Sequence, residues 1–404
     1  MTGRVVDLDV HDMAHGGEAV GRHDGKAVFV AGAIPGERVR VSLVSDSGTW
    51  ARAHLEEVLT PAPARVPPPC PHFADCGGCQ WQYMTYAEQL KWKSSIVAGQ
   101  LQHLGGVSDP EVAPIVASSA PYGYRNRMTF HVENGLPALY RHRSKQLVPI
   151  SACLLLVAGL AELYDRLGDL SGVHELTLRI GTTSGERVVL IRGRIPEQAA
   201  GWAASVVRLA GRRFEPVIGP PYIHEEVAGV RFRITGPAFF QVNTVGAESL
   251  VELVRDALQP SGSDTLLDAY AGVGLFAATV GTLAGRVIAV ESSGVALADL
   301  RHNLIEAGVS NQEVVRGRFE ELTPGTSWSL AVCDPPRTGL GKQGVSAVVA
   351  GGPRRIAYVS CDPASLARDT RLLDGVGYRL VRATPVDLFP QTFHVETVAE
   401  FELK

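Results

Sequence analysis

From about residue 236 onward, short apolar runs alternate with helical stretches, and few folds are compatible with this pattern. Apolar runs of four to six residues bounded by turns are typical of parallel strands buried on both faces. The alternation predicts an α/β domain with a doubly wound, Rossmann-like sheet. The predicted strands are residues 265–270, 286–291, 313–316, 330–334 and 356–360.

The first of these strands runs into a glycine turn and then a helix, in the sequence LLDAYAGVGLFA. Gly272 and Gly274 let the backbone approach a ligand closely at the carboxyl edge of the sheet. Glu291 ends the next strand, where a carboxylate can accept hydrogen bonds from both hydroxyls of a ribose. We favour a nucleoside cofactor over a packing turn with a surface glutamate. The turn lacks the third glycine of the dinucleotide fingerprint, which favours S-adenosylmethionine over NAD.

Two further strands end in rigid, polar turns at the same predicted edge. Two prolines fix the turn after Asp334 and direct its carboxyl group outward, and Asp-Pro-Pro turns are known from base-modifying methyltransferases. Cys361 follows another strand, at a helix N-terminus whose dipole stabilises a thiolate. By position alone, Cys361 is equally consistent with a nucleophile and with an inert core cysteine.

The last predicted strand follows the sequence FPQTFHVE. Glu396 is the last residue of this sequence and is a candidate general base. His394, two residues earlier, is the rival candidate. The residues alone do not choose between them.

Three of the six cysteines, Cys70, Cys76 and Cys79, lie within ten positions. In a chain with no recognisable export signal, such crowding favours a metal site or catalysis over disulfides. Three thiols on one loop can bind one face of a metal or iron–sulfur cluster, and Cys153 is the remaining cysteine in that part of the chain. Because a zinc ribbon needs two close cysteine pairs, we rank an iron–sulfur cluster first, zinc second and unrelated thiols third.

Residues 121–150 carry five cationic side chains and a single glutamate, in a chain whose net charge is −4. Tyrosine and phenylalanine are interspersed among them. Cations beside aromatic rings suit RNA phosphates and unstacked bases, whereas the alternative is a solvated face of a β-hairpin. The candidate RNA-binding residues are Arg125, Arg127, Arg141 and Arg143.

The N-terminal residues 1–59 contain short alternating strands that predict a small, closed, OB-like β-barrel. Such barrels often bind nucleic acid, but this one has nine acidic and six basic side chains, so a packing module is the alternative. A proline-rich linker at residues 60–71 separates the barrel from a central α+β region. Within that region, residues 174–180 and 187–192 are predicted to form a hairpin, and Thr85 to open a helix with a capping box.

Together these motifs resemble the uracil-5 RNA methyltransferases that carry an N-terminal TRAM barrel and a four-iron four-sulfur cluster. The resemblance runs through CPHFADCGGCQWQ, YRNRMTFHV, ALYRHRS, FFQVN, LLDAYAGVGLFA, DPPRTGL, YVSCDPASLARD and FPQTFHVETV, in this order. It implies a TRAM barrel at residues 1–59, a central iron–sulfur domain at 60–235 and an S-adenosylmethionine-dependent methyltransferase domain at 236–404. One departure is Ala271, where many members of the family have cysteine.

The resemblance implies that the methyl group of S-adenosylmethionine is transferred to C5 of a specific uridine in ribosomal or transfer RNA. Cys361 would form a covalent adduct at C6, and Glu396 would remove the C5 proton. The implied methyl-donor contacts are Gln241, Tyr270, Gly272, Gly274, Glu291 and Asp334. The implied ligands of the 4Fe-4S cluster are Cys70, Cys76, Cys79 and Cys153.

Two other activities are weighed against this one. An amino-group base methyltransferase also uses an Asp-Pro-Pro turn, although Arg337 occupies the position where such sites usually have an aromatic residue. The other alternative is a non-catalytic RNA-binding protein. The longest apolar stretch, residues 152–161, is too short to span a membrane, so no membrane partner is expected. We further expect a cytoplasmic protein that is a monomer and has RNA as its partner.

Overall fold

The computed structural model describes residues 3–211, 213–321 and 327–404. Its N-terminal strands are β1 (Val5–Met13), β2 (Ala19–His23), β3 (Lys26–Val30), β4 (Arg38–Asp46) and β5 (Trp50–Thr60). They form a closed barrel in the order β1-β2-β3-β5-β4, which confirms the predicted barrel.

The long helix α1 (Tyr86–His103) follows the proline-rich linker, and Thr85 occupies its N-cap position as predicted. The predicted capping box is wrong, because the Thr85 side chain makes no cap hydrogen bond. Glu88, the expected partner, instead accepts a hydrogen bond of 2.6 Å from Trp92 Nε1. Among the helices in the described ranges, none combines the length and apolar character needed to cross a bilayer.

The central region is built on a seven-stranded sheet. Its elements are β6 (Arg127–Glu133), β7 (Leu136–Tyr140), β8 (Leu147–Pro149), α2 (Ala158–Asp165), β9 (Val173–Ile180), β10 (Arg187–Gly193), β11 (Ser205–Ala210) and β12 (Arg213–Ile218). The strand order is β12-β11-β10-β9-β6-β7-β8. The predicted hairpin is confirmed, since β9 and β10 pair antiparallel. A separate hairpin, β13 (Tyr222–Val227) and β14 (Val230–Thr235), follows.

The C-terminal region confirms the doubly wound sheet. Its elements are α3 (Thr244–Leu258), β15 (Thr265–Asp268), α4 (Leu275–Thr279), β16 (Arg286–Glu291), α5 (Gly294–Glu306), β17 (Gln312–Arg316), β18 (Leu330–Cys333), α6 (Gly341–Val349), β19 (Arg355–Ser360), α7 (Pro363–Gly375), β20 (Tyr378–Val386) and β21 (Glu396–Leu403). The strand order is β17-β16-β15-β18-β19-β21-β20. The first five strands are parallel, and β21 pairs antiparallel with both β19 and β20. In such sheets ligands bind at the carboxyl ends of the strands, next to the point where the strand order reverses.

Helix α1 fixes the loop that leads into β21. Lys93 Nζ lies 2.6 Å from Asp387 Oδ1, with both side chains completely buried. The same ammonium group donates to the Phe389 carbonyl at 3.1 Å. Gln89 also accepts from the Gln391 N–H at 2.9 Å. The start of β21 is therefore held by a helix from the central region. The domain boundaries at residues 59/60 and 235/236 remain predictions.

Candidate active site

The glycine turn after β15 has the conformation that glycine favours. Gly272 and Gly274 both have positive φ, 56° and 99°. A side chain at Gly274 would place its Cβ 2.8 Å from Leu300 Cδ1, so the Leu300 side chain would have to shift, and the positive φ would remain strained. The Gly272 N–H donates to Glu291 Oε2 at 2.8 Å. The predicted glutamate thus meets the turn directly, at the carboxyl ends of two adjacent strands.

A pocket opens at this edge of the sheet. It is lined by four of the six predicted methyl-donor contacts, Gln241, Tyr270, Gly272 and Asp334, together with Phe239. Tyr270 is oriented by its hydroxyl group, which donates to Glu320 Oε1 at 2.9 Å. The other two predicted contacts do not line the pocket themselves. Glu291 is hydrogen-bonded to Gly272, which does, and Gly274 is the N-cap residue of α4.

Gln241 is held in the pocket wall by the central region. The Asn126 N–H donates to the Val242 carbonyl at 2.8 Å, and Asn126 Nδ2 donates to the Gln241 carbonyl at 3.2 Å. Asn126 Nδ2 also donates to Thr244 Oγ1 at 3.0 Å. Because Asn126 is buried, these three bonds have no competition from solvent. The central sheet therefore positions one wall of the pocket.

Cys361 lies between the end of β19 and the start of α7. Asp362 caps α7, and its Oδ1 accepts from the Ser365 N–H at 2.7 Å. Burial raises the pKa of Cys361 to about 12, and the neighbouring charge of Glu396 adds to this, whereas Arg337 acts in the opposite direction. The resting thiol is therefore protonated, and ionisation requires a change in its surroundings.

Glu396 begins β21 and is only 5% exposed. Its Oε2 is buried and has no hydrogen-bond partner within the described ranges. Burial raises its pKa well above the ordinary value, and the charge of Asp334 adds to this, against Arg337. The pKa of His394 is instead lowered to about 4, by burial and then by neighbouring cations that include Arg337. Glu396 is thus the stronger base of the two candidates.

Asp334 belongs to the same electrostatic cluster. Burial raises its pKa to about 7. Its charge in turn raises the pKa of both Cys361 and Glu396. The site therefore brings several acidic groups close to Arg337, and a bound positive charge would relieve their repulsion.

Three residues of the site were missed by the sequence reasoning. Phe239 lines the pocket although it is 61% exposed, and an exposed aromatic ring in such a position leaves no local sequence signal. In the sequence, Arg337 serves only as an argument against an amino-group methyltransferase, because it replaces an aromatic residue; its charge next to Cys361 and Glu396 is not predicted. Asp268, at the end of β15, is fully buried beneath the glycine turn, and its position in LLDAYAG could have identified it.

The four cysteines of the central region line one small cavity with apolar neighbours such as Leu139. All four are free thiols. Burial raises the pKa of Cys76, of Cys153 and, to about 12, of Cys79, and the other thiols add to each shift. In the described ranges, no group of three or more His, Cys, Asp or Glu residues is arranged to hold a metal ion. The four thiols therefore line the same cavity, but they are not arranged as the ligands of one metal centre.

The four candidate RNA-binding arginines fall into two pairs. Arg125 and Arg127 line a cavity of about 440 Å³ next to Val242, and neither Nε atom has a hydrogen-bond partner within the described parts of the chain. Arg141 is paired with Asp75 at 2.8 Å, and Arg143 with a glutamate of the barrel. Among the described residues, Arg125 and Arg127 thus line this cavity without an ion pair, whereas Arg141 and Arg143 are each paired with a carboxylate.

Comparisons with known proteins agree with this architecture. Residues 1–55 match the TRAM domain model, and residues 221–329 and 325–402 match the model described as tRNA (uracil-5-)-methyltransferase. The chain is similar to an uncharacterized RNA methyltransferase of Thermosynechococcus vestitus, with 35% identity covering 98% of both chains. A second such protein, from Streptomyces avermitilis, is also 35% identical, over 99% of this chain and 98% of that one.

One solved structure is similar over nearly the whole length. It is the crystal structure of Pyrococcus abyssi tRNA (uracil-54, C5)-methyltransferase in complex with S-adenosyl-L-homocysteine. The TM-score is 0.76 with 25% identity, covering 98% of this chain and 99% of that one. The barrel, the central region and the doubly wound domain are therefore found together in another chain of known structure.

Proposed function

Because the chain belongs to the RNA methyltransferase family of these relatives, we propose that it methylates C5 of a uridine in ribosomal or transfer RNA, with S-adenosylmethionine as the donor. The observation that carries the proposal is the clustering of a thiol, a buried unpartnered carboxyl group and a nucleoside-type pocket at one sheet edge. Support also comes from the match to the uracil-5 model and from the similar structure solved with S-adenosyl-L-homocysteine.

The pocket suits a cationic nucleoside. Gly272 and Glu291 form the turn that would face the ribose, and Gln241, Tyr270 and Asp334 would line the rest, with Gly274 shaping the turn. When bound, S-adenosylmethionine supplies a methyl group carried on a positively charged sulfur. A positive charge at this place would be stabilised by Asp334, whose pKa of about 7 reflects burial without such a partner.

Cys361 would act as the nucleophile, because C5 of uracil is itself a poor nucleophile. The thiol proton would first be lost to solvent. The sulfur would then form a bond to C6, which converts the C5–C6 double bond into an enolate. C5 of the enolate would take the methyl group as the bond between that group and the sulfonium sulfur breaks, which leaves S-adenosyl-L-homocysteine. Arg337, which lowers the pKa of Cys361, would favour the thiolate.

Glu396 would act as the base. Removal of the remaining C5 proton by its carboxylate would re-form the enolate, which then restores the C5–C6 double bond as the bond to Cys361 breaks. The unpartnered Oε2 of Glu396 fits a group that exchanges a proton with substrate rather than with the protein. His394, with a pKa near 4, would be a weak acceptor.

The uridine must leave its stack to reach Cys361. Phe239, an exposed aromatic ring in the pocket lining, would stack on the displaced base. Arg125 and Arg127 would bind backbone phosphates, since neither makes an ion pair within the described ranges. Arg141 and Arg143 remain proposed RNA contacts that would first have to leave their carboxylates.

We further propose that Cys70, Cys76, Cys79 and Cys153 hold a 4Fe-4S cluster. An all-thiol donor set in an apolar cavity fits this group, because thiolates are the ligands that iron–sulfur clusters require. The cluster would cross-link the cysteine loop to the segment before α2. The cluster would have a structural role and would take no part in methyl transfer.

The proposal is tested by incubating the purified protein with labelled S-adenosylmethionine and RNA from cells that lack its gene. The RNA is digested to nucleosides, and the product is identified by mass spectrometry. Label in 5-methyluridine supports the proposal. Label in a methylated amino group would indicate the amino-group activity, and no label with ribosomal and transfer RNA both present would indicate a binding protein.

A further inference from the structure

The N-terminal barrel contacts the proposed active site through one turn, residues 14–18, between β1 and β2. His15 Nε2 in this turn lies 3.3 Å from Asp362 Oδ2. Asp362 directly follows Cys361 and caps α7. We propose that His15 is a positioning residue for the nucleophile, so that the barrel completes the active site. This inference rests on the proposed function.

The turn has a fixed shape. The Ala14 N–H donates to the Glu18 carbonyl at 2.8 Å, and the Gly17 N–H donates to the Ala14 carbonyl at 3.0 Å. Gly17 has a φ of 81°, and any side chain there would place its Cβ 2.7 Å from Phe393 Cβ. Trp81 Nε1 donates to the Gly17 carbonyl at 3.2 Å. The turn is thus packed between the cysteine loop and the segment that precedes Glu396.

Glu18 anchors the same turn from its other end. Its buried carboxylate lies 2.8 Å from Arg143 of the central region and 3.2 Å from Arg52 of the barrel. The guanidinium groups lower the pKa of Glu18 despite its burial. Arg143, which the sequence presents as an RNA contact, is therefore also an anchor for this turn. The barrel, the central region and the C-terminal region therefore all contact the turn at residues 14–18.

The contact acts on Cys361 through Asp362. One carboxylate oxygen of Asp362 accepts from the Ser365 N–H, and the other faces His15. The Ser365 N–H thus fixes one oxygen of the carboxyl group, and the imidazole of His15 packs against the other, which restricts rotation of the Asp362 side chain. Loss of His15 would free one oxygen and leave a carboxylate whose charge disfavours the thiolate.

The test measures covalent adduct formation with RNA that contains 5-fluorouridine, in the presence of S-adenosylmethionine. Fluorine at C5 cannot be removed as a proton, so the methylated adduct accumulates on the protein. Transfer RNA and ribosomal RNA transcripts serve as probes, at saturating concentration. The variants are His15→Ala, His15→Gln, which keeps an N–H donor, and His23→Ala as the control, since His23 makes a similar 3.3 Å contact to Asp24 within the barrel.

We expect His15→Ala to slow adduct formation about tenfold, because a small displacement of the nucleophile lowers the rate of its attack. The Kd for RNA and the Tm should stay unchanged. His15→Gln and His23→Ala should stay near the wild-type rate. Unchanged adduct formation in His15→Ala, or a loss confined to the Kd for RNA, would overturn the inference. Absence of the adduct in the wild-type protein would instead overturn the proposed function, and the inference with it.

Discussion

The carboxyl group of Asp268 accepts a hydrogen bond of 3.0 Å from the Ala277 N–H, across the glycine turn that joins β15 to α4. Its other oxygen is buried, with no partner in the described parts of the chain. Burial raises the pKa of Asp268 to about 7, and the charges of Asp334 and Glu291 add to this. The turn of the donor pocket is therefore built over a carboxyl group that ionises near neutral pH.

The Asp268 pKa predicts a pH-dependent stability. Between its unfolded pKa near 4 and about 7, the folded protein keeps a proton that the unfolded chain has lost, so this group lowers stability as pH rises. Asp268→Asn keeps the acceptor for Ala277 and removes the ionisation. The unfolding free energy of the variant and of the wild-type protein is measured by urea unfolding at each pH. We expect the variant to exceed the wild-type protein by about 2 kcal/mol more at pH 8 than at pH 5. Equal gains at both pH values, or a pH-dependent gain in the exposed control Asp256→Asn, would contradict this.

The sequence predicted those parts of the site that depend on local order along the chain. Strand, glycine turn and helix follow one another directly, and parallel strands bring their carboxyl ends to one edge. The meeting of Gly272 with Glu291, and of Asp334 with the same pocket, follows from that rule. The Asp362 cap of α7 follows from Pro363 in the first turn of the helix.

Contacts between distant segments could not be predicted in this way. Nothing near Arg141 or Arg143 shows that each is paired with a carboxylate, because Asp75 and Glu18 are brought to them only by the assembled fold. The same holds for His15 and Asp362, which lie at opposite ends of the chain. Charge and residue type identify candidates for binding, but tertiary pairing decides which of them remain available.

Replacing the proposed nucleophile should abolish methylation. In Cys361→Ala no C6 adduct can form, and we expect activity to fall by about three orders of magnitude or more, since a covalent step is lost. Affinity for S-adenosyl-L-homocysteine, measured by calorimetry, should stay within about twofold. Cys333→Ala is the matched control, because Cys333 is fully buried in β18. Full activity of Cys361→Ala would rule out the covalent mechanism.

Replacing the proposed base should trap the adduct. In Glu396→Gln the methylated C5 keeps its proton, so the bond from Cys361 to C6 cannot break. We expect a protein–RNA complex that survives denaturing electrophoresis and a loss of turnover of about a hundredfold or more. His394→Gln should turn over without trapping. Trapping in His394→Gln and normal turnover in Glu396→Gln would assign the base to the histidine.

The cysteine cavity should hold iron when the protein is purified without oxygen. We expect a brown protein with about four iron and four sulfide ions per chain. Cys79→Ser should lose the colour and the iron, and its Tm should fall. Cys333→Ala should keep both metal and colour, since Cys333 lies in the core of another domain. Stoichiometric zinc without iron would refute the cluster and support the second interpretation.

The two arginine pairs should differ in their effect on RNA affinity. Arg127 lines the cavity beside Val242 with its Nε unpartnered among the described residues, whereas Arg141 is already paired with Asp75. We expect Arg127→Ala to raise the Kd for RNA about tenfold and to reduce the slope of log Kd against log salt by about one, because one phosphate contact is lost.

Arg141→Ala should change the Kd by less than about threefold, since breaking an exposed ion pair costs little. Filter binding between 50 and 200 mM salt measures both. Equal losses in the two variants would mean that the ion pair with Asp75 opens when RNA binds, and that Arg141 contacts the backbone as Arg127 does.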